Sequence, residues 1–87
     1  MAFTLLDCSN GVSSLEFAES DIDRLKSFLE TEYGRPRIKR RIVHDELTFS
    51  NEQFTFYNEW GDPCLISSTA QGRAILQKIA EKLNASA

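Results

Sequence analysis

The side chain best suited to acid–base chemistry in this sequence is that of His44, the single histidine, which is followed by Asp45 and Glu46. A histidine beside carboxylates can act as a general base or take part in a metal site. Neighbouring residues of a strand point to opposite faces of a sheet, however, so His44 and Asp45 do not converge on one site. We therefore interpret the segment as a polar turn between two strands and predict no catalytic residue in it.

The two cysteines, Cys8 and Cys64, have no C-x-x-C partner, and a single histidine leaves zinc short of ligands. A thiol nucleophile needs a nearby cation or a helix N-terminus to lower its pKa, and neither cysteine is predicted to have one. We predict two reduced, largely buried thiols, or one bridge between them if their strands are neighbours. Phosphate-loop, dinucleotide, nucleophile-elbow and zinc-protease motifs do not occur. We therefore predict a protein that is not an enzyme and binds no cofactor, metal or small-molecule substrate.

One basic segment stands out in a chain whose net charge is −3. Residues 35–44 hold five cations and no acidic residue, whereas residues 1–34 hold seven acidic residues against two basic ones. Such an island of one charge in a chain of the other indicates either a surface that meets a partner or a solvated edge strand neutralised by the acidic first helix. The five cations are Arg35, Arg37, Lys39, Arg40 and Arg41.

The first third of the chain is predicted to form a hairpin and then a helix. Asn10-Gly11 is a strong signal for a two-residue type I′ turn, which would place Leu6 opposite Leu15 on one face. Ser20 is predicted to cap the helix that follows. Gly34 is predicted to end that helix, because glycine readily adopts a left-handed conformation.

The middle of the chain is predicted to form strands. From Arg37 to Val43 charged side chains alternate onto both faces, which is typical of an edge strand. The next hairpin, turning at residues 51–52, would place Leu47 opposite Phe56, and a Gly61-Asp62 turn would start the last strand. Ser68 and Gln71 have the spacing of a capping box that opens the second helix.

The predicted fold class is α+β, with residues 1–87 as a single small domain. We expect an antiparallel sheet of five to six strands, in the order ββα-βββ(β)-α, with two helices packed on one face. No run approaches the roughly 20 apolar residues of a membrane span, and no signal peptide is evident. A cytoplasmic protein without a membrane partner is therefore predicted.

The aromatic stretch Gln53–Ser67 is predicted to serve two purposes. Phe54 and Phe56 share a face with apolar residues of the neighbouring strands and are predicted to be core. Tyr57 and Trp60 project to the other side or the rim, and both are residue types found at interface hot spots. We therefore predict them as candidate recognition residues.

The predicted function is that of a protein-interaction or regulatory binding module of unknown partner. One form of this prediction is a homodimer in which the basic strand of one copy faces the acidic helix of another. The alternative is nucleic-acid binding through the basic strand at residues 35–41. From the first helix onward, the order helix, three strands, helix resembles the double-stranded-RNA-binding domain. Where such domains hold a basic cluster, the segment SSTAQGR has Arg73 as its one cation.

Overall fold

In the computed structural model, which describes residues 2–86, six strands form one antiparallel sheet and two α-helices pack on one face of it. The order of strands across the sheet is β1-β2-β6-β5-β4-β3. The predicted α+β class, with both helices on one face, is confirmed. The elements are β1 (Thr4–Asp7), β2 (Ser13–Glu16), α1 (Ile22–Tyr33), β3 (Arg37–Arg40), β4 (Asp45–Phe49), β5 (Glu52–Glu59), β6 (Asp62–Ser67) and α2 (Ala70–Ala85), with short 3₁₀ turns at Ser9–Gly11 and Glu19–Asp21.

The hydrophobic core lies between the helices and the sheet face that they cover. Apolar side chains recur at helical spacing in α1 and α2 and at every second position in the strands, so that each element presents one apolar side to the same layer. Phe49 and Phe54 stack within the core, with ring centroids 4.4 Å apart. The buried apolar members are Phe3, Leu15, Phe17, Leu25, Leu29, Phe49, Phe54, Leu65, Leu76, Ile79, Ala80 and Leu83.

The register predicted for the first hairpin is wrong by one residue. Asn10 and Gly11 do have positive φ, but the loop contains three residues and is closed by a hydrogen bond from the Cys8 N–H to the Val12 carbonyl. Leu5, rather than Leu6, therefore lies opposite Leu15. Since a one-residue slip exchanges the two faces of a strand, Leu5 packs on the core and Leu6 is 43% exposed.

The register predicted for the β4–β5 hairpin is wrong by two residues, and its faces are nevertheless correct. Ser50 and Asn51 form the turn with φ of 54° and 61°, so Leu47 lies opposite Phe54 and not opposite Phe56. Because side chains alternate with a period of two, the slip leaves the same residues on the core face. The β5–β6 turn likewise lies one residue earlier than predicted, at Trp60–Gly61.

The helix starts differ from the prediction by one or two residues. Ser20 lies inside a 3₁₀ turn, and α1 begins at Ile22 without a side-chain cap. Gly34 follows α1 with φ of 82°, as predicted. At α2, Thr69 rather than Ser68 is the capping residue, since its hydroxyl accepts a hydrogen bond from the Gly72 N–H at 2.9 Å.

Two polar side chains tie α2 to the rest of the molecule at one end of the sheet. The Asn84 amide accepts a hydrogen bond from the Phe3 N–H at 2.9 Å and donates one to the Phe3 carbonyl at 2.8 Å. Arg24 of α1 donates to the Leu83 carbonyl at 2.7 Å, and so satisfies a carbonyl in the last turn of α2. The start of β1, the start of α1 and the end of α2 are thereby held together.

Candidate interaction surface at the basic edge of the sheet

Strand β3 is an edge strand, as its charge pattern predicts, and all four of its residues are exposed. It pairs with β4 alone, with Ile38 opposite Leu47 and Arg40 opposite Asp45. The Arg41 N–H donates to the His44 carbonyl at 2.8 Å, which makes these two residues a hydrogen-bonded pair of the ladder. Such pairs alternate along antiparallel strands, so the backbone N–H and C=O groups of Ile38 and Arg40 point away from β4.

The strand ends at Arg40, three residues earlier than predicted. Residues 41–44 make the turn between β3 and β4, with Ile42 and Val43 exposed at its tip. The start of β4 lies beside the last part of β5, where Asp45 is opposite Phe56. This tip and the β5–β6 turn with Trp60 therefore lie at the same end of the sheet.

The structure divides the five predicted cations between the two faces of the sheet. Arg40 lies on the face covered by the helices, and Arg35 precedes β3 on the same side. Arg37 and Lys39 alternate with Ile38 and Arg40, so they lie on the open face. Arg41 also reaches the open face, where it contacts Glu46. The basic segment is thus a charged strand edge rather than one continuous patch.

A groove of about 440 Å³ separates α1 from the edge of the sheet beside β3. Its floor is apolar and is made by Ile38, Leu47 and Phe56. Ile38 is 50% exposed, so much of this floor is open to solvent. The charged residues that line the groove are three cations, Lys26, Arg35 and Arg40, and two carboxylates, Glu30 and Asp45.

The groove is the feature of this surface that sequence reasoning missed. Ile38 alternates correctly onto the core side of the sheet, and a residue at such a position is expected to be covered. The helices do not extend over the outer edge, however, and Ile38 is left half exposed there. The local sequence feature that could have indicated the groove is an apolar residue, Ile38, flanked by cations in a predicted edge strand.

Glu46 on the open face is surrounded by groups that favour its ionised form. The Arg41 Nε lies 3.0 Å from one carboxylate oxygen, and the Gln53 amide donates to the other at 2.7 Å. Lys39 lies directly opposite on β3, and the His44 Nε2 is 3.8 Å away. The hydrogen bond from Arg41 is the main reason that the pKa of Glu46 lies below its usual value of 4.5.

His44 and Tyr57 are neighbours on this same face, with their rings tilted and their centroids 5.2 Å apart. Asp45 lies on the opposite face, where its carboxylate meets Arg40 at 3.5 Å. His44 and Asp45 therefore do point to opposite faces, as strand alternation predicts. Trp60 is 94% exposed in the β5–β6 turn, and Tyr57 is half-buried, so the two predicted recognition residues differ in accessibility.

We expect the contribution of Glu46 to stability to depend on pH. A carboxylate whose pKa is lower in the folded than in the unfolded chain stabilises the fold above the unfolded pKa, and this contribution is lost as the pH falls through the folded pKa. The wild type should therefore exceed Glu46→Gln in unfolding free energy at pH 7, and the difference should shrink below pH 4.5. Urea unfolding of both proteins between pH 7 and pH 3 measures this.

Glu19→Gln is the control for that comparison, because Glu19 is an exposed carboxylate outside the Glu46 network. A difference for Glu46→Gln that stays constant from pH 7 to pH 3 would show that ionisation of Glu46 does not stabilise the fold.

Comparisons of the chain with protein-family models, with curated proteins and with solved structures found no match. The resemblance in element order to the double-stranded-RNA-binding domain does not hold, because four strands rather than three separate α1 from α2. Neither helix within residues 2–86 has the length and apolar character needed to cross a bilayer.

The two cysteines are free thiols that differ in exposure. Both thiols are free, so the alternative of a bridge is wrong, and so is the predicted burial of Cys8, which lies exposed beside the three-residue loop. Cys64 is half-buried, and burial raises the pKa of its thiol, which reduces the thiolate fraction at neutral pH. Among the described residues no group of three or more histidine, cysteine, aspartate or glutamate side chains is placed to hold a metal ion.

Proposed function

We propose that this chain is a non-catalytic protein-interaction module that binds a partner at the basic edge surface, meaning β3 together with the groove beside α1. The observation that carries the proposal is the position of Ile38. Its side chain opens onto an apolar groove floor, while its backbone groups point away from the sheet. A peptide or protein segment lying there would contact apolar area, unpaired backbone groups and cations together.

The arrangement of the cations favours a protein partner over nucleic acid. A phosphate backbone is best held by cations that follow one groove or face. Here Arg37 and Lys39 lie on the open face, whereas Arg35 and Arg40 lie on the helix side.

A second copy of the chain fits poorly along β3 itself. When two copies of the sequence RIKR pair antiparallel, a cation lies opposite a cation whether the pairing is centred on the strand or shifted by one residue to either side. Like charges directly opposite one another are destabilising. Self-association would instead require β3 of one copy to meet an acidic surface, such as α1, of another. A partner with acidic residues satisfies the same requirement without a second copy.

A peptide library displayed on phage tests the proposal. We expect selection on the wild type to give ligands whose affinity falls at least about tenfold in Ile38→Asp, since a charge would then occupy the apolar floor. Leu6→Asp is the matched control, because Leu6 is 43% exposed and Ile38 50% exposed, both on edge strands. Circular dichroism of both variants checks that they remain folded.

Three results would contradict the proposal. Ligands that lose affinity in Leu6→Asp and not in Ile38→Asp would place the site on the open face near β1. Binding of mixed oligonucleotides that falls steeply with salt and is lost on reversal of Arg37 and Lys39 would favour the nucleic-acid alternative. A concentration-dependent dimer by light scattering that Ile38→Asp abolishes would identify a second copy as the partner.

A further inference from the structure

We infer that the partner supplies an extended acidic segment, which adds to the sheet as a seventh strand, antiparallel to β3. This inference rests on the proposed function and specifies how the basic edge surface binds. Strand addition at an open sheet edge gains affinity from main-chain hydrogen bonds and specificity from alternate side chains. The edge at β3 offers both.

The main-chain groups available to an added strand follow from the alternation of hydrogen bonds in the β3–β4 ladder. Arg41 and His44 are a hydrogen-bonded pair, so the next bonded positions on β3 are Lys39 and Arg37. Ile38 and Arg40 are left with backbone N–H and C=O groups that point outward. A strand laid along β3 would pair with these two residues.

The side-chain contacts of an added strand depend on which face of the sheet each ligand residue occupies. A ligand residue opposite Ile38 would face the groove, where an apolar side chain would extend the floor made with Leu47 and Phe56. The residue opposite Arg40 would also face the groove and would meet a cation. Residues opposite Lys39 and Arg37 would lie on the open face, again beside cations.

The register therefore specifies the chemistry of the ligand. From its N-terminus, an antiparallel ligand strand would lie opposite Arg40, Lys39, Ile38 and Arg37 in turn. The ligand residues at these four positions should therefore be acidic, acidic, apolar and acidic. The pattern EEVE satisfies all four positions. We expect the ligand to pair antiparallel to β3, because antiparallel pairing is slightly more stable per residue than parallel pairing. All five ladders of the sheet are also antiparallel.

The charge of the surface agrees with an acidic ligand. Strand β3 carries three cations and no carboxylate, and the groove adds Lys26 and Arg35. Glu30 and Asp45 also line the groove. Asp45 meets Arg40 at 3.5 Å, so these two charges offset each other. The other two cations of β3, with Lys26 and Arg35, then outnumber the remaining carboxylate of the groove, Glu30.

The experiment measures binding of a fluorescein-labelled peptide, SGEEVEGS, by fluorescence anisotropy. Two N-methylated versions separate strand addition from side-chain docking. In the first, N-methyl groups replace the amide hydrogens of the valine and the first glutamate, which would pair with Ile38 and Arg40. In the second, they replace those of the second and third glutamates, whose N–H groups would point to solvent.

We expect the first N-methylated peptide to bind at least about tenfold more weakly than the parent peptide, because it loses two main-chain hydrogen bonds, and the second to bind within about threefold of it. Ile38→Asp should weaken the parent peptide by at least about tenfold, and Leu6→Asp should not. Equal effects of the two methylation patterns would overturn strand addition and leave the proposed function intact. No binding of SGEEVEGS, with library ligands that still depend on Ile38, would overturn the acidic extended segment alone. Failure of both the peptide and the library ligands would remove the proposed function as well.

Discussion

Replacement of Phe54 by alanine is expected to destabilise the protein by about 3–5 kcal/mol, the range for large aromatic-to-alanine changes in a core. The Phe54 side chain is 1% exposed, and its ring stacks on that of Phe49 at a centroid distance of 4.4 Å. Truncation would leave a cavity in a part of the core where sheet and helices meet. Because native proteins have an unfolding free energy of only about 5–15 kcal/mol, the substitution should remove a fifth or more of the total.

The measurement is urea unfolding followed by circular dichroism, with Trp60→Ala as the control from the same hairpin. Trp60 is larger than Phe54 but 94% exposed, so its loss should change stability by no more than about 0.5 kcal/mol. A similar cost for the two substitutions would mean that burial does not distinguish these aromatics. If Trp60→Ala instead impairs ligand binding at unchanged stability, the β5–β6 turn also contributes to the interaction surface.

Replacement of Gly72 by alanine is expected to cost about 2 kcal/mol, although alanine is the better helix former. A Cβ at this position would lie 1.8 Å from the Ser67 Oγ and 2.8 Å from the Ser67 Cβ, so the helix or the strand must move. Gly72 N–H also donates to the Thr69 hydroxyl that caps α2, and a shift would disturb that cap. Overpacking of this kind typically costs about 1–3 kcal/mol, which exceeds the gain in helix propensity near a helix start.

A double-mutant cycle with Ser67→Gly identifies the clash as the cause. Ser67→Gly removes the Ser67 Oγ and Cβ and leaves the Thr69 Oγ1, which a Cβ at Gly72 would approach to 2.9 Å. Gly72→Ala should therefore cost at least about 1 kcal/mol less in that background than in the wild type. Gly61→Ala is the control, because a Cβ there meets no atom within 4 Å and its cost arises from φ of 74° alone. Its effect should add independently to that of Ser67→Gly. An additive result for Gly72→Ala would show that steric contact with Ser67 is not the cause.

Much of the architecture follows from local patterns, since periodicity alone separates core faces from exposed faces. The hairpin at Ser50–Asn51 shows why: an error of two residues in register preserves the faces of β4 and β5. The first hairpin shows the limit, because Asn10-Gly11 signals positive φ without specifying whether the loop has two or three residues. That ambiguity exchanges Leu5 and Leu6 between core and surface.

The cations of the basic edge surface could be predicted from the sequence, but the groove beside them could not. The cations at positions 35–41 and the edge position of their strand follow from composition and alternation. The groove depends on how far α1 reaches across the sheet, which is set by contacts between residues distant in sequence. Local spacing therefore gives no measure of how much of Ile38 remains uncovered.

The strand order has a consequence for how the chain folds. Four of the five ladders join strands that are consecutive in sequence, whereas the β2–β6 ladder joins Ser13–Glu16 to residues 64–67, with α1 and three strands between them. Long-range pairing must close a large loop before it gains stability, so it is the step expected to limit the folding rate. Strands β3 to β6 form one block whose ladders are all local. The basic edge surface therefore belongs to the block with the lower cost of loop closure, and β1 and β2 join it through the single long-range ladder.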